Sequence, residues 1–129
     1  MNKFDLPVFD VRQYGATGNK NDLAQAAIQK AIDSCAESGG GVVYFPPGDY
    51  TSGTIHLRSY TRLYFEAGAT LYSAKLKDVF DKEALIFGED LEHITIEGRG
   101  VIDGQGAYEW RENEGADDFI RPNEQMMLS

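Results

Sequence analysis

One stretch of the chain follows a helical period, and most of the rest alternates between apolar and polar residues in short runs. Asp22 is a good N-cap, and Gln25 three residues later gives a pattern close to a capping box. The pattern predicts an amphipathic helix over 22–38, with the polar side chains Gln29, Lys30, Asp33 and Glu37 towards solvent. The apolar residues recur at steps of three, four or one, as on one helical face: Leu23, Ala27, Ile28, Ala31, Ile32 and Cys35.

The segment 39–50 separates a part of the chain with a helical period from a part made of short alternating runs. Three glycines at 39–41 stop the helix, because glycine readily adopts the left-handed conformation common at helix ends. The run 42–45 is β-branched and aromatic, which predicts a buried strand. Pro46 cannot donate a ladder hydrogen bond, so the strand must end before it. A new extended segment starts at Tyr50.

The apolar runs after Tyr50 are short and are separated by turn formers rather than helices. This disfavours a doubly wound α/β sheet. The spacing fits either a β-sandwich or a solenoid in which each turn stacks on the next. In a solenoid, Leu63 with Phe65 and Ile94 with Ile96 would point into the core. Extended segments are predicted at 8–14, 54–57, 61–65, 70–72, 85–87, 93–97 and 101–103.

Composition and net charge limit the classes of protein to which this chain can belong. The 129 residues suffice for a single domain over 1–129, and the net charge of −9 argues against a nucleic-acid partner. It argues weakly against an anionic membrane surface, and no apolar run approaches a membrane span. The N-terminus lacks a signal-peptide core. The chain is therefore either cytoplasmic or derived from a precursor with a leader, and the localisation stays open.

Few side chains in the sequence indicate a catalytic or metal-binding site. Cys35, the single cysteine, lies in the apolar stripe and is expected to be a buried thiol. His56 and His93 stand alone in sequence, which favours structural roles over metal binding, and no cofactor is expected. Asp103 is expected to bond backbone amides at a turn. The paired carboxylates Asp117 and Asp118 are interpreted as part of a solvated loop rather than as catalytic groups.

The segment 107–129 is a polar, acidic loop that ends in an apolar run, and we expect a truncation point there. Its best binding candidates are Tyr108, Trp110 and Arg121. Aromatic rings stack on sugar faces, and arginine pairs with carboxylates such as uronates. The competing interpretation is that Trp110 anchors the loop by packing.

Six motifs, in this order, resemble the N-terminal region of the polygalacturonase-like glycoside hydrolases (family 28) of the pectin-lyase-like superfamily. They are FDVRQYGA (9–16), AIQKAID (27–33), GGGVVYFPPGDY (39–50), SGTIHL (52–57), LYFEAGATL (63–71) and GVIDGQG (100–106). The resemblance implies a mainly β fold, a right-handed parallel β-helix with an N-terminal capping α-helix. An amphipathic helix there would cover the apolar residues and unpaired edges at the end of a solenoid.

The resemblance also implies a function, the inverting hydrolysis of galacturonan or pectin-type chains by several aspartates. In that family the aspartates lie in Asn-Thr-Asp and Gly-Asp-Asp motifs, followed by Gly-His-Gly and Arg-x-Lys. None of the four motifs occurs in these 129 residues. The chain is therefore expected to be an N-terminal part of such an enzyme, inactive alone and without a catalytic residue of its own. Members of this family are often secreted or periplasmic.

Two other functions stay open. A non-catalytic β-helical module could bind a glycan or assemble into a fibre. A calcium-dependent lyase of the same superfamily fits less well, since no acidic cluster suited to calcium is evident. For the enzyme, the expected partner is a polysaccharide of acidic or neutral sugars. A stack cut after a few turns exposes strand edges, so self-association or marginal stability is expected.

Overall fold

The computed structural model describes residues 4–82 and 84–104, and the backbone of 125–127. Ten short strands and one α-helix account for the regular structure there, with 3₁₀ turns at Val11–Tyr14 and Lys77–Val79. The elements are β1 (Val8–Asp10), α1 (Gln25–Glu37), β2 (Gly41–Phe45), β3 (Gly48–Ser52), β4 (Ile55–His56), β5 (Thr61–Phe65), β6 (Ala69–Ser73), β7 (Ile86–Phe87), β8 (Thr95–Gly98), β9 (Val101–Asp103) and β10 (Gln125–Met127).

The strands stack in parallel into three sheets. Sheet A has the order β1-β2-β5-β8, sheet B the order β10-β9-β6-β3, and sheet C pairs β4 with β7. From β2 to β9, successive strands in the chain belong to sheets A, B and C in turn, so the backbone winds in coils around a central core. This topology is a parallel β-helix, and it confirms the solenoid rather than the sandwich. The exception to parallel pairing is β10, which lies antiparallel to β9.

The coils differ in length at one corner. In sheet A, the first coil advances from Gly41 to Thr61. The next coil, from Arg62 to Thr95, takes distinctly more chain to reach the adjacent strand. The extra residues lie between β6 and β7, outside the sheets. This inequality hides the repeat in the sequence.

The core consists of inward side chains stacked in register from coil to coil. Phe45 lies directly over Phe65, with ring centroids 4.1 Å apart and planes 17° apart. Both rings are fully buried. Offset stacking of this kind adds about 0.5–1.5 kcal/mol to the burial of the rings. The next position in the stack is Gly98, whose added Cβ would collide with the carbonyl oxygen of Phe65.

Helix α1 closes the N-terminal end of the core. Its buried face consists of the residues predicted from periodicity, Ala27, Ile28, Ala31, Ile32 and Cys35. The mainly β fold with an N-terminal capping helix is therefore confirmed.

Two glutamines on α1 also pair with the backbone of β4 and of the two residues before it. The Gln29 amide accepts a hydrogen bond from the His56 N–H and donates one to the His56 carbonyl, both at 2.9 Å. One turn earlier, Gln25 accepts from the Gly53 N–H at 3.2 Å and donates to the Thr54 carbonyl at 2.9 Å. These side chains occupy the place of a preceding strand. The expectation that Gln29 faces solvent is therefore wrong.

The start of α1 also differs from the prediction. Asp22 does not cap the helix. Its carboxylate accepts a hydrogen bond from the Thr17 hydroxyl at 2.7 Å, and the helix begins at Gln25 after Ala24. Leu23 is 52% exposed rather than buried, because the chain there pairs with Thr51 as an isolated bridge. Tertiary pairing outweighs the local capping pattern.

The first predicted extended segment is shorter than expected. The strand β1 ends at Asp10, and Val11–Tyr14 forms a 3₁₀ turn instead. The Asp10 carboxylate accepts from the Arg12 N–H at 2.9 Å, which caps this turn. The 3₁₀ turn brings Val11 into the core, where it is fully buried.

Candidate functional site

The described residues do not include the binding residues predicted from sequence, Tyr108, Trp110 and Arg121. They do not include the aspartates Asp117 and Asp118 either. Their roles stay predictions. Asp103 is described, and it lies in β9 beside Tyr72 of β6. The candidate sites that the structure itself shows are three features of the outer surface.

The first feature is an open groove of about 670 Å³ beside sheet A. The residues that line it include Leu6, Pro7, Gly39–Gly41, Tyr60, Arg62 and His93. Two of the glycines allow neighbouring backbones to approach closely, since a Cβ added to Gly40 would lie 2.7 Å from the Tyr60 carbonyl oxygen and one added to Gly41 would lie 2.5 Å from the Pro7 carbonyl oxygen.

Three contacts hold the side chains of this groove in place. The rings of Tyr60 and His93 stack with centroids 5.1 Å apart, and the Tyr60 hydroxyl donates to the Glu92 carboxylate at 3.0 Å. That hydrogen bond and the charge of Glu92 raise the pKa of Tyr60. Arg62 forms an ion pair with Glu97 through Nε at 3.0 Å. The groove thus presents an ordered aromatic ring and an ion pair.

The second feature is a histidine–aspartate pair beside sheet C. His56 Nε2 lies 2.7 Å and 2.9 Å from the two carboxylate oxygens of Asp81. Partial burial acts to raise the pKa of Asp81, but the hydrogen bond and charge of His56 outweigh it, so the pKa is lowered. The pair ties the long corner between β6 and β7 to β4. The role expected for His56 stays a prediction.

The third feature lies on the outer face of sheet B. Lys20 lies over the ring of Tyr72, 4.1 Å from its centroid. Burial raises the pKa of the Tyr72 phenol, and the nearby carboxylates of Asp49 and Asp103 raise it further. A cation over a tyrosine ring contributes about 0.5–1 kcal/mol at an exposed site. This contact fastens the loop before α1 onto the sheet.

Sequence reasoning missed most of these contacts, because they join residues of different coils. The partners His56 and Asp81, and likewise Tyr60 and His93, are far apart in the chain. No local spacing reveals such pairs before the register of the coils is known. In the described parts of the chain, no three His, Cys, Asp or Glu side chains converge as they would to hold a metal ion. No helix described there is long and apolar enough to cross a membrane.

Parallel coils and an N-terminal capping helix define a protein of the parallel β-helix class. Residues 8–115 match the family model described as rhamnogalacturonase A/epimerase, pectate lyase-like. The chain belongs to this family. Its resemblance to the pectin-lyase-like superfamily is thereby confirmed.

Individual relatives agree with the family match. An exo-poly-α-D-galacturonosidase of Dickeya chrysanthemi is 33% identical over 135 residues, which cover 88% of this chain and 21% of that protein. The family 28 exopolygalacturonase structure of Yersinia enterocolitica has a TM-score of 0.70 at 30% identity, covering 93% of this chain and 24% of that one. Plasmin and fibronectin-binding protein A of Streptococcus pneumoniae is 39% identical over 118 residues, which cover 81% of this chain and 16% of that protein.

These comparisons confirm that the coils form a right-handed parallel β-helix. The chain spans about a fifth of the Dickeya protein and a quarter of the Yersinia one.

Proposed function

We propose that this chain forms the capping helix and first coils of a polygalacturonase-like glycoside hydrolase. Its substrate is a galacturonan or pectin-type polysaccharide, hydrolysed with inversion. The observation that carries the proposal is the similarity over 88% of this chain to a much longer galacturonosidase. The family match over residues 8–115 supports it as well.

Catalysis in this proposal belongs to coils other than those described. Inverting hydrolysis needs one carboxylic acid that protonates the leaving oxygen and a carboxylate that activates water on the opposite face. The sequence lacks the aspartate motifs expected for these roles. The chain contributes a fixed end to the stack, because α1 covers the core and its glutamines pair with the exposed edge of β4. Later coils then add in register.

The test is to read the gene beyond codon 129 and to assay any longer product for reducing ends released from polygalacturonate. A frame that supplies Asn-Thr-Asp, Asp-Asp, Gly-His-Gly and Arg-x-Lys in order, with a hydrolytic product, supports the proposal. The 129-residue chain itself is the matched control and should release nothing. A stop codon after Ser129, or hydrolysis by the short chain, would overturn it.

A second candidate function is a non-catalytic module that binds a glycan or another surface. The observations that favour it are the 39% identity to a plasmin and fibronectin-binding protein and the 33% identity to a solved surface adhesin of Streptococcus pneumoniae. Glycan binding by the isolated chain as a defined oligomer, together with a natural stop after Ser129, would support this function over the hydrolase.

We also propose that the 129-residue chain self-associates. In the described part of the chain, β7 and β8 are each hydrogen-bonded to a neighbour on one side only. Such edges offer a template for another strand. Sedimentation velocity should show a weight-average mass that rises with concentration, and a monomer at all concentrations would contradict the idea.

A further inference from the structure

The N-terminal end of the stack, which we call the covered end, protects each sheet in a different way. Sheet A begins with β1, which is three residues long and lies between Pro7 and a 3₁₀ turn. The Pro7 carbonyl accepts a hydrogen bond from the Val42 N–H at 2.8 Å. Proline has no N–H to donate, and a very short edge strand beside a proline is a poor template for another strand.

Sheets B and C are protected at the covered end by hydrogen bonds to the chain itself. The segment 18–24 lies along β3, where the Asp49 N–H donates to the Gly18 carbonyl at 2.9 Å and the Ala24 N–H donates to the Thr51 carbonyl at 2.7 Å. The two glutamines of α1 bond in the same way to the backbone at β4. A strand from another molecule would have to displace these groups before it could pair there.

The opposite end, which we call the open end, lacks this protection in the part of the chain that the structure describes. Sheet A ends there at β8 and sheet C at β7, each with a strand on one side only. Val43 and Leu63 are fully buried, whereas Ile96, which follows them in the same register, is only half-buried. Unpaired edge groups and an inward apolar side chain are therefore exposed together.

The difference between the two ends determines how a second copy can bind. Head-to-tail contact would set the open end of one copy against the covered end of the next, and its repetition would build a filament. Contact between two open ends about a two-fold axis leaves no open end free. Equivalent strands related by such an axis run antiparallel. Sheet B already accepts an antiparallel strand at the open end, because β10 pairs with β9 in that direction.

We propose that two copies of the 129-residue chain bind through their open ends, with β8 of one copy antiparallel to β8 of the other, and that association stops at this dimer. The inference rests on the proposed self-association and adds its surface, its partner and its limit. Each copy covers Ile96 of the other, which removes this side chain from water. In the longer hydrolase, later coils would occupy the same edge.

The first test is sedimentation velocity over a wide range of concentrations. The weight-average mass should rise and level off at twice the mass of one chain. Ile96→Lys places an inward charge on the edge strand, and the dissociation constant should rise by at least about tenfold, because the dimer would bury an unpaired ammonium. Leu23→Lys, which places the same charge on a 52% exposed residue of the covered end, is the matched control and should leave the constant unchanged.

The second test is cross-linking, which identifies the ends that meet. Thr95 is exposed on β8, and Lys30 is exposed on α1. A short bismaleimide should join two copies of the Thr95→Cys variant, but not two copies of the Lys30→Cys variant. A mixture of the two variants, one of them with a size tag, should give no mixed product. The native Cys35 is fully buried and should give no background.

Each contrary result has a separate meaning. Masses beyond the dimer, or mixed cross-links, would overturn the proposal and leave self-association standing, whereas a monomer at all concentrations would overturn both. Dimerisation of Ile96→Lys as tight as that of the native chain would overturn the role of β8. If circular dichroism shows that Ile96→Lys does not fold, cross-linking of Thr95→Cys decides. No readout involves hydrolysis, so the proposed hydrolase is tested separately.

Discussion

The pairing of Gln29 with the backbone of His56 makes a sharp prediction for Gln29→Ala. Adjacent residues in β4 send their backbone groups to opposite sides. The Ile55 N–H donates to the Leu85 carbonyl just before β7 at 2.7 Å, and the Leu57 N–H donates to the Phe87 carbonyl of β7 at 2.8 Å. Both backbone groups of His56 instead bond to Gln29. The substitution removes both of the latter hydrogen bonds. A typical net value of about 1 kcal/mol for each, reduced by water reaching this half-buried site, gives a loss of about 1–2 kcal/mol in the free energy of unfolding.

The assay is urea unfolding followed by circular dichroism, together with amide hydrogen exchange. The midpoint should fall by about 0.5–1 M urea, and the His56 amide should exchange faster than its neighbours in β4. Alanine is the better helix former, so helix propensity pushes the other way and cannot explain a loss. Lys30→Ala, a substitution of a charged residue on the same helix, is the matched control. An equal effect of the two substitutions would refute the role of Gln29 in covering the edge.

Gln29→Glu sharpens the same test. At neutral pH the carboxylate can accept from the His56 N–H but cannot donate to the His56 carbonyl, so the variant should be destabilised by about 1–3 kcal/mol. Protonation restores a donor. The gap from the native chain should therefore narrow as the pH falls below about 4.3, and a gap that does not change with pH would contradict the explanation.

Three further predictions follow from single contacts. Burial raises the pKa of the Cys35 thiol to about 11, so a thiol reagent at pH 8 should label it only after unfolding; labelling of the folded chain at the rate of a free thiol would refute this. Gly98→Ala forces a Cβ against Phe65 at a φ of +123°, and thermal melting should show a loss of at least about 2 kcal/mol, whereas a near-native melt would contradict the close approach. Because the pKa of Asp81 is lowered in the folded state, its contribution is present above the ordinary pKa of 3.8 and is lost as the pH falls through the lowered value. Acid unfolding of the native chain should thus be steeper than that of Asp81→Asn, and identical acid profiles would remove the role assigned to its pair with His56.

The inward face of the coils could be predicted from sequence because alternation is a local property. Leu63 and Phe65 are fully buried, as the pattern of β5 predicts, and α1 buries the stripe that its period predicts. The start of α1 could not be predicted from local sequence. The Asp22 carboxylate accepts a hydrogen bond from nearby Thr17, and Leu23 pairs with Thr51 of a strand that is distant in the chain. The same limit applies to the groove, whose two rings meet only after a whole coil of intervening chain.

The unequal coils have a consequence for how such a molecule can change. The second coil in sheet A uses more chain than the first, yet Leu63 still meets Val43 on one side and Ile96 on the other. The strands therefore determine the register between neighbouring coils, and the corners determine how many residues each coil contains. The two properties can change independently. New chain can be inserted after β6 without respecifying the core, so the surface can diversify while the interior is inherited unchanged.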